Sequence, residues 1–307
     1  MAAKSSPWPV VALICAMLLW GASFPAFKFT LDHFNGWFVV WVRMVIAGGV
    51  AAAVLPFLRK PRWRTGDLKW LAVMAFCEPC LYFYFEKQAL LYTSAAQAGV
   101  IVALLPLLVA MAAAVFLRER MTRRLGIGMG LAFVGAVVVS LAGSATSHAP
   151  NPLLGNFLEL LAMASATGYI IALKKLGERW SPWHIVAIQH GVGILFFLPF
   201  TVLTGGFAPL AAPGAVLPMA WAALGFLGLA VSMGAFLCYT LALQRIPANR
   251  ASVYTNLIPV FAVALSLTFL GEQLNVVQLS ACLLIVAGLV LSQSKPAPQP
   301  VRAATAT

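Results

Sequence analysis

Residues 89–120 read ALLYTSAAQAGVIVALLPLLVAMAAAVFLRER, and residues 242–273 read ALQRIPANRASVYTNLIPVFAVALSLTFLGEQ. Laid over each other at an offset of 153 positions, they need no gap. Ala89/Ala242, Leu90/Leu243, Ala95/Ala248, Ala98/Ala251, Val100/Val253, Leu104/Leu257 and Pro106/Pro259 coincide. Phe116/Phe269, Leu117/Leu270 and Glu119/Glu272 follow. The match runs on through Leu131/Leu284, Gly135/Gly288 and Val137/Val290, so 89–138 aligns on 242–291. The chain contains an internal repeat, and both copies are strongly apolar.

Composition sets the class. Of 307 residues, 62% are apolar and 9% are charged, and the mean hydropathy is +0.93. A soluble domain of this length does not tolerate so little charge, so an all-α polytopic membrane protein is expected. The net charge of +12 raises nucleic acid as a partner, but the placement of the charges points to topology instead. Cys15, Cys77, Cys80, Cys238 and Cys282 all fall in apolar runs. Cys77-Glu-Pro-Cys80 has the spacing of a redox or metal pair, yet it lies mid-span with no second pair. The first apolar run ends in Lys28 without a small-residue cleavage site, so it reads as a retained span.

A crossing helix needs roughly 20 apolar residues. Ten such runs are predicted, at about 9–28, 36–58, 68–90, 94–117, 124–143, 153–174, 182–204, 216–244, 248–270 and 275–293. With both termini cytoplasmic, the inner segments collect most of the basic residues. They are Lys4, Arg59, Lys60, Arg62, Arg64, Lys69, Arg118, Arg120, Arg123 and Arg124 in the first half. Lys174, Lys175, Arg179, Arg245, Arg250, Lys295 and Arg302 complete the set. The outer side keeps only Lys28 and Lys87, at helix ends, and Arg43 falls within the second run. This asymmetry alternates loop by loop, as cytoplasmic loops rich in Lys and Arg require. Trp8, Trp37, Trp63, Trp70, Trp180 and Trp183 lie near span ends, where interfacial anchors are expected. Ten spans divide into two five-helix repeats, 1–146 and 147–293. Five is odd, so the second repeat is inverted relative to the first. The Pro- and Ala-rich tail, 294–307, is expected to be disordered.

The run Ala89-Leu90-x-Tyr92-Thr93-Ser94-Ala95-Ala96-x-Ala98, followed by Pro106 and Leu117-x-Glu119-Arg120, resembles the signature of EamA-type proteins. These belong to the drug/metabolite transporter superfamily. Ala248-Asn249-Arg250-Ala251-Ser252 through Pro259 to Gly271-Glu272-Gln273 looks like the same signature repeated. Trp20-Gly21-x-Ser23-Phe24 is similar to the family's first-span motif, and Arg43 lies where such proteins often carry an Arg. Pro247 and Arg250 replace Ser94 and Gln97 of the first copy, so the halves need not contribute equally. The resemblance implies a ten-helix exporter of metabolites or amino acids. By overall likeness the chain looks closest to the YddG aromatic amino acid exporters.

Ionisable groups at membrane depth are costly and are candidates for function. Here they are Arg43, Glu78, Glu86, Glu159 and His190. Glu78 lies near the middle of the third span. Glu86, eight residues on, falls on roughly the same side of a regular helix, with Tyr82 between them. Phe83 and Phe85 fall on the opposite side and are set apart from the path. Trp20, Tyr169 and Tyr239 lie deep in their spans, where ring faces can stack on a flat substrate. With Gln97 and Asn256, these residues are the predicted lining of the substrate path. Arg43 reads as a structural ion-pair partner more than as a substrate ligand. Glu159 and His190 are candidates for a proton relay, although a lone His in a helix is more often simply hydrogen-bonded. Pro25, Pro106 and Pro259 each remove a backbone donor inside an apolar run and are the hinge candidates. Glu119 and Glu272 are read as structural, each placed favourably before a helix N-terminus.

The expected function is secondary export of aromatic or other hydrophobic amino acids, by alternating access through a cavity between the repeats. The partners expected are a small-molecule substrate and membrane lipid, with no nucleic acid, nucleotide, cofactor or metal. The expected site is the plasma (inner) membrane of a prokaryote. A zwitterion carries no net charge, so flux is expected to be facilitated and independent of protons. The alternative is a proton-coupled exporter of lipophilic cationic drugs. A membrane-embedded enzyme is disfavoured, because the chain has no HExxH, no paired Asp within spans and no Ser/His/Asp cluster at depth.

Overall fold

The structure is a computed structural model, and it describes residues 8–116, 123–176, 179–243 and 254–293. Glu119, Pro247, Arg250 and the tail 294–307 lie outside these residues. The described chain is helical apart from short turns and one isolated bridge. Among the described residues, seven helices are long and apolar enough to cross a membrane. They are α1 (Trp8–Leu31), α2 (Gly36–Phe57), α3 (Asp67–Tyr92), α4 (Ala95–Ala112), α6 (Pro152–Leu173), α7 (Pro182–Leu203) and α8 (Pro218–Ala242). Three apolar helices are shorter: α5 (Gly126–Leu141), α9 (Leu257–Phe269) and α10 (Val276–Leu291). Helices suit such a chain because every interior backbone group is satisfied within its own segment.

The packing has a regular plan. α2 lies against α7, α4 against α9, and α5 against α10. α1 packs on α8 and α9, while α6 packs on α3 and α4. Exchanging each helix for the one five places along returns the same set of contacts. Small residues make the closest approach. A Cβ on Gly135 would stand 2.6 Å from Cγ1 of Ile285, and one on Gly288 would stand 2.5 Å from the Gly128 carbonyl oxygen. These two glycines are partners in the sequence repeat, and each lets α5 and α10 touch backbone to backbone.

Two helices are irregular midway. α3 widens into a π-helical segment at Phe76–Leu81, and Glu78 inside it has extended backbone (φ −144°, ψ 116°). α8 carries a π-helical segment at Phe226–Ala235. Such segments commonly sit at functional sites. The hinge candidates divide. α1 passes Pro25 without interruption. α4 tightens into a 3-10 turn at Val102–Leu104, immediately before Pro106. α9 starts at Leu257, so Pro259 occupies its first turn, where a missing N–H costs little.

Not all the tryptophans are anchors. Trp8 and Trp63 are exposed, but Trp37 and Trp180 are buried. Trp37 is enclosed by Tyr84 and Phe200, with the Lys87 ammonium 4.1 Å from its ring centroid. The Trp180 indole N–H donates to Asp67 (3.1 Å). Position near a span end did not separate these from lipid-facing rings, because helix neighbours decide it.

Candidate functional site

A cavity of about 100 Å³ lies inside the bundle. Trp20 and Phe24 of α1, Arg43 of α2, and Met163 and Tyr169 of α6 line it. Phe236 and Tyr239 of α8 and Ile258 of α9 complete those sides. α3 supplies Glu78, Tyr82, Phe83 and Glu86. The irregular centre of α3 is therefore part of the wall.

The aromatic wall is continuous. Trp20 meets Phe236 edge-on (5.3 Å between centroids) and Tyr239 at a tilt (5.1 Å), and Tyr169 meets Phe236 edge-on (6.3 Å). Arg43 is only 2% exposed. Its Nε donates to the Ser232 hydroxyl (3.2 Å), and its guanidinium stands 5.2 Å from the Phe27 ring centroid and 4.6 Å from that of Phe83. Arg43 Nη1 pairs with Glu86 Oε2 at 3.8 Å, an ion pair without hydrogen-bond geometry. The Tyr82 hydroxyl donates to the other Glu86 oxygen (3.0 Å). Glu78 differs from these. It is 6% exposed, faces the cavity, and has no hydrogen bond or ion pair among the described residues.

The predicted site residues thus fall into groups. Trp20, Glu78, Tyr82, Glu86, Tyr169 and Tyr239 meet around one cavity, together with Arg43. Gln97 and Asn256 do not line it. Gln97 is in the first turn of α4, where its amide oxygen accepts from Asn156 (3.0 Å). Asn256 sits in the turn before α9, and its neighbour Thr255 reaches the cavity instead. Glu159 is fully buried outside the lining, and neither of its oxygens finds a hydrogen bond among the described residues. The His190 Nδ1–H donates to the Val186 carbonyl one turn back (2.9 Å). No hydrogen bond or ion pair joins Glu159 to His190 among the described residues.

Phe83 corrects the sequence reading. It was set on the face opposite Tyr82, yet both rings line the cavity. Adjacent residues on a helix differ by about 100°, not 180°, so a wide cavity takes both. Glu78, Tyr82 and Glu86 do share the cavity, but the helix is broken at Glu78, so an unbroken eight-residue stripe is not what brings them together. The one available signal was Pro79, which prevents a regular helix through its preceding turn.

A second pocket, of about 500 Å³, is polar. It lies at the α3–α4 corner and is lined by Lys28, Asp32, Gln97, His148, Glu272 and Gln278, among others. Lys28 is buried and gives its ammonium to the carbonyls of Leu90, Thr93 (2.9 Å) and His148 (2.5 Å). Glu272 accepts the backbone N–H groups of Ala95 and Ala96, one on each oxygen at 2.8 Å. Glu272 does serve a helix N-terminus, but it is that of α4 rather than of the helix that follows it in sequence. Asn156 ties Thr93, Gln97 and Ser140 together beside this corner.

A bundle of apolar membrane-length helices around a small cavity with buried ionisable groups is a multi-pass membrane protein. The profile of the EamA-like transporter family matches residues 7–141 and again residues 153–293. The chain belongs to that family and is a membrane transporter. It is 25% identical over 288 residues to the uncharacterized transporter YetK of Bacillus subtilis (strain 168), covering 93% of this chain and 86% of that one. It is 28% identical to a probable terminal-alkyne amino-acid exporter of Streptantibioticus cattleyicolor, covering 92% of each. A crystal structure 20% identical in sequence aligns with a TM-score of 0.62 over 94% of this chain and 97% of its own, a likeness of fold.

Proposed function

We propose that this transporter is a secondary exporter of small metabolites, with aromatic or other hydrophobic amino acids as its substrates. The observation that carries the reading is the central cavity. Rings from α1, α3, α6 and α8 enclose it, and a few polar groups converge on it. An apolar site with a few polar groups suits a compact organic solute with a ring and one charged end. The probable terminal-alkyne amino-acid exporter supports the amino-acid class. The two family matches, the self-consistent helix pairing and the paired π-helical segments support two inverted five-helix repeats that rock about this cavity. The 3-10 turn before Pro106 and the turn before Pro259 fall at equivalent places and are the proposed flexing points.

The proposed topology is ten spans with both termini in the cytoplasm of a prokaryotic cell and the protein in its plasma membrane. Its support is the loop-by-loop excess of Lys and Arg. Counterflow of labelled phenylalanine or tryptophan in proteoliposomes tests the function. Exchange above that of empty liposomes is the expected result, and its absence for both substrates overturns the amino-acid assignment. A second reading, export of lipophilic cations, is favoured by one observation, the cavity-facing carboxyl group of Glu78, which has no hydrogen bond or ion pair among the described residues.

A further inference from the structure

We infer that the cavity recognises its substrate through a cationic nitrogen, received by Glu78 and the surrounding rings, and not through a carboxylate. This inference rests on the exporter reading and says what kind of molecule that site takes. The cavity holds one cation and two carboxylates: Arg43, Glu78 and Glu86. The cation is already engaged. Arg43 is paired with Glu86, donates to Ser232 and lies over the rings of Phe27 and Phe83. Arg43 Nη1 and Glu86 Oε2 are both buried, and their 3.8 Å ion pair is the contact they make, with no hydrogen bond to either atom among the described residues. An entering carboxylate would have to displace Glu86 and expel a second negative charge into an apolar interior.

Glu78 is in the opposite condition. It faces the open space, is nine-tenths buried, and makes no hydrogen bond or ion pair among the described residues. A buried carboxylate without a partner is costly, and a ligand ammonium removes that cost. The walls beside it are π faces. Trp20, Tyr169, Phe236 and Tyr239 line the same cavity, and Trp is the best of the aromatic partners for a cation. With Arg43 and Glu86 paired, Glu78 is the carboxyl group on the cavity left to receive a ligand, and an ammonium can hold it ionised where a carboxylate cannot. An amino acid would therefore bind by its amino group, and the corresponding amine would bind more tightly.

Three probes of equal ring size separate the possibilities: phenethyltrimethylammonium, phenylalanine and 3-phenylpropanoate. Binding to the purified full-length protein is read by calorimetry, and exchange is read in proteoliposomes. The permanent cation should bind about tenfold more tightly than phenylalanine, and the anion should not bind. Glu78→Gln should remove the preference, while Glu78→Asp keeps it and shows that the variants fold. Equal or tighter binding of 3-phenylpropanoate overturns the inference and leaves the exporter reading standing. Binding of none of the three overturns the site assignment itself. Binding of the cation without exchange of any probe upholds the recognition and counts against the exporter reading.

Discussion

The α3–α4 corner and the central cavity both hold charges drawn wholly or partly out of solvent, and they treat them in opposite ways. At the corner Lys28 and Glu272 are both spent on helix ends. Lys28 takes the carbonyls where α3 stops, and Glu272 takes the amides where α4 starts. Helix ends leave such groups without internal partners and carry partial charges of matching sign. The corner is therefore complete without a ligand. In the cavity, Arg43 and Glu86 satisfy each other in part, and Glu78 is left over. A charge matched within the chain marks architecture. One left unmatched beside an open space marks a place for something else.

The harshest way to break this contrast is Lys28→Met. It strips three carbonyls of their donor in a buried place and should cost about 3 kcal/mol, several degrees in the thermal midpoint of the purified protein. An unchanged midpoint would show that the corner is not held by Lys28. Glu272→Ala comes next, at about 2 kcal/mol, for two charge-assisted bonds to backbone amides at a partly exposed site. Glu272→Gln, which keeps one acceptor oxygen, should recover about half of that loss in the same melting experiment.

Glu78→Gln turns the contrast around. It removes no partnered interaction, so the midpoint should move by less than about 0.5 kcal/mol. Substrate exchange in proteoliposomes should nevertheless fall about tenfold. A large loss of stability with flux intact would place Glu78 with the corner residues. The smallest effect sharpens the wall of the cavity. Tyr82→Ala and Phe83→Ala should lower flux to within about threefold of each other, because each loses a comparable aromatic contact. A loss confined to Tyr82→Ala would restore the single-stripe picture of α3.

Much was legible along the chain because it depends on short-range pattern. Apolar runs of membrane length and the clusters of Lys and Arg are local features, and they pointed to a multi-pass membrane protein. The repeat at an offset of 153 positions needed only the chain compared with itself, and Gly135 and Gly288 then mark the same close contact from two sides. The rare ionisable residues were conspicuous because hydrocarbon makes each one expensive. That is why Glu78, Glu86 and Arg43 stood out before any fold was in hand.

What the sequence alone determined, then, was the class of protein, its apolar segments, the internal repeat and a short set of deep polar residues. Which of those residues meet was decided by tertiary structure. Glu272 reaches amides 177 and 176 positions away, and Lys28 reaches carbonyls 62, 65 and 120 positions away. No local period encodes such pairings. Gln97 left the cavity because α4 begins at Ala95, Phe83 joined Tyr82 on it because helix neighbours about 100° apart both face a wide space, and Glu78 sits where α3 is irregular. A helical stripe read from spacing assumes an unbroken helix. Pro79 in the chain, and the neighbours packed around it, set where that assumption ends.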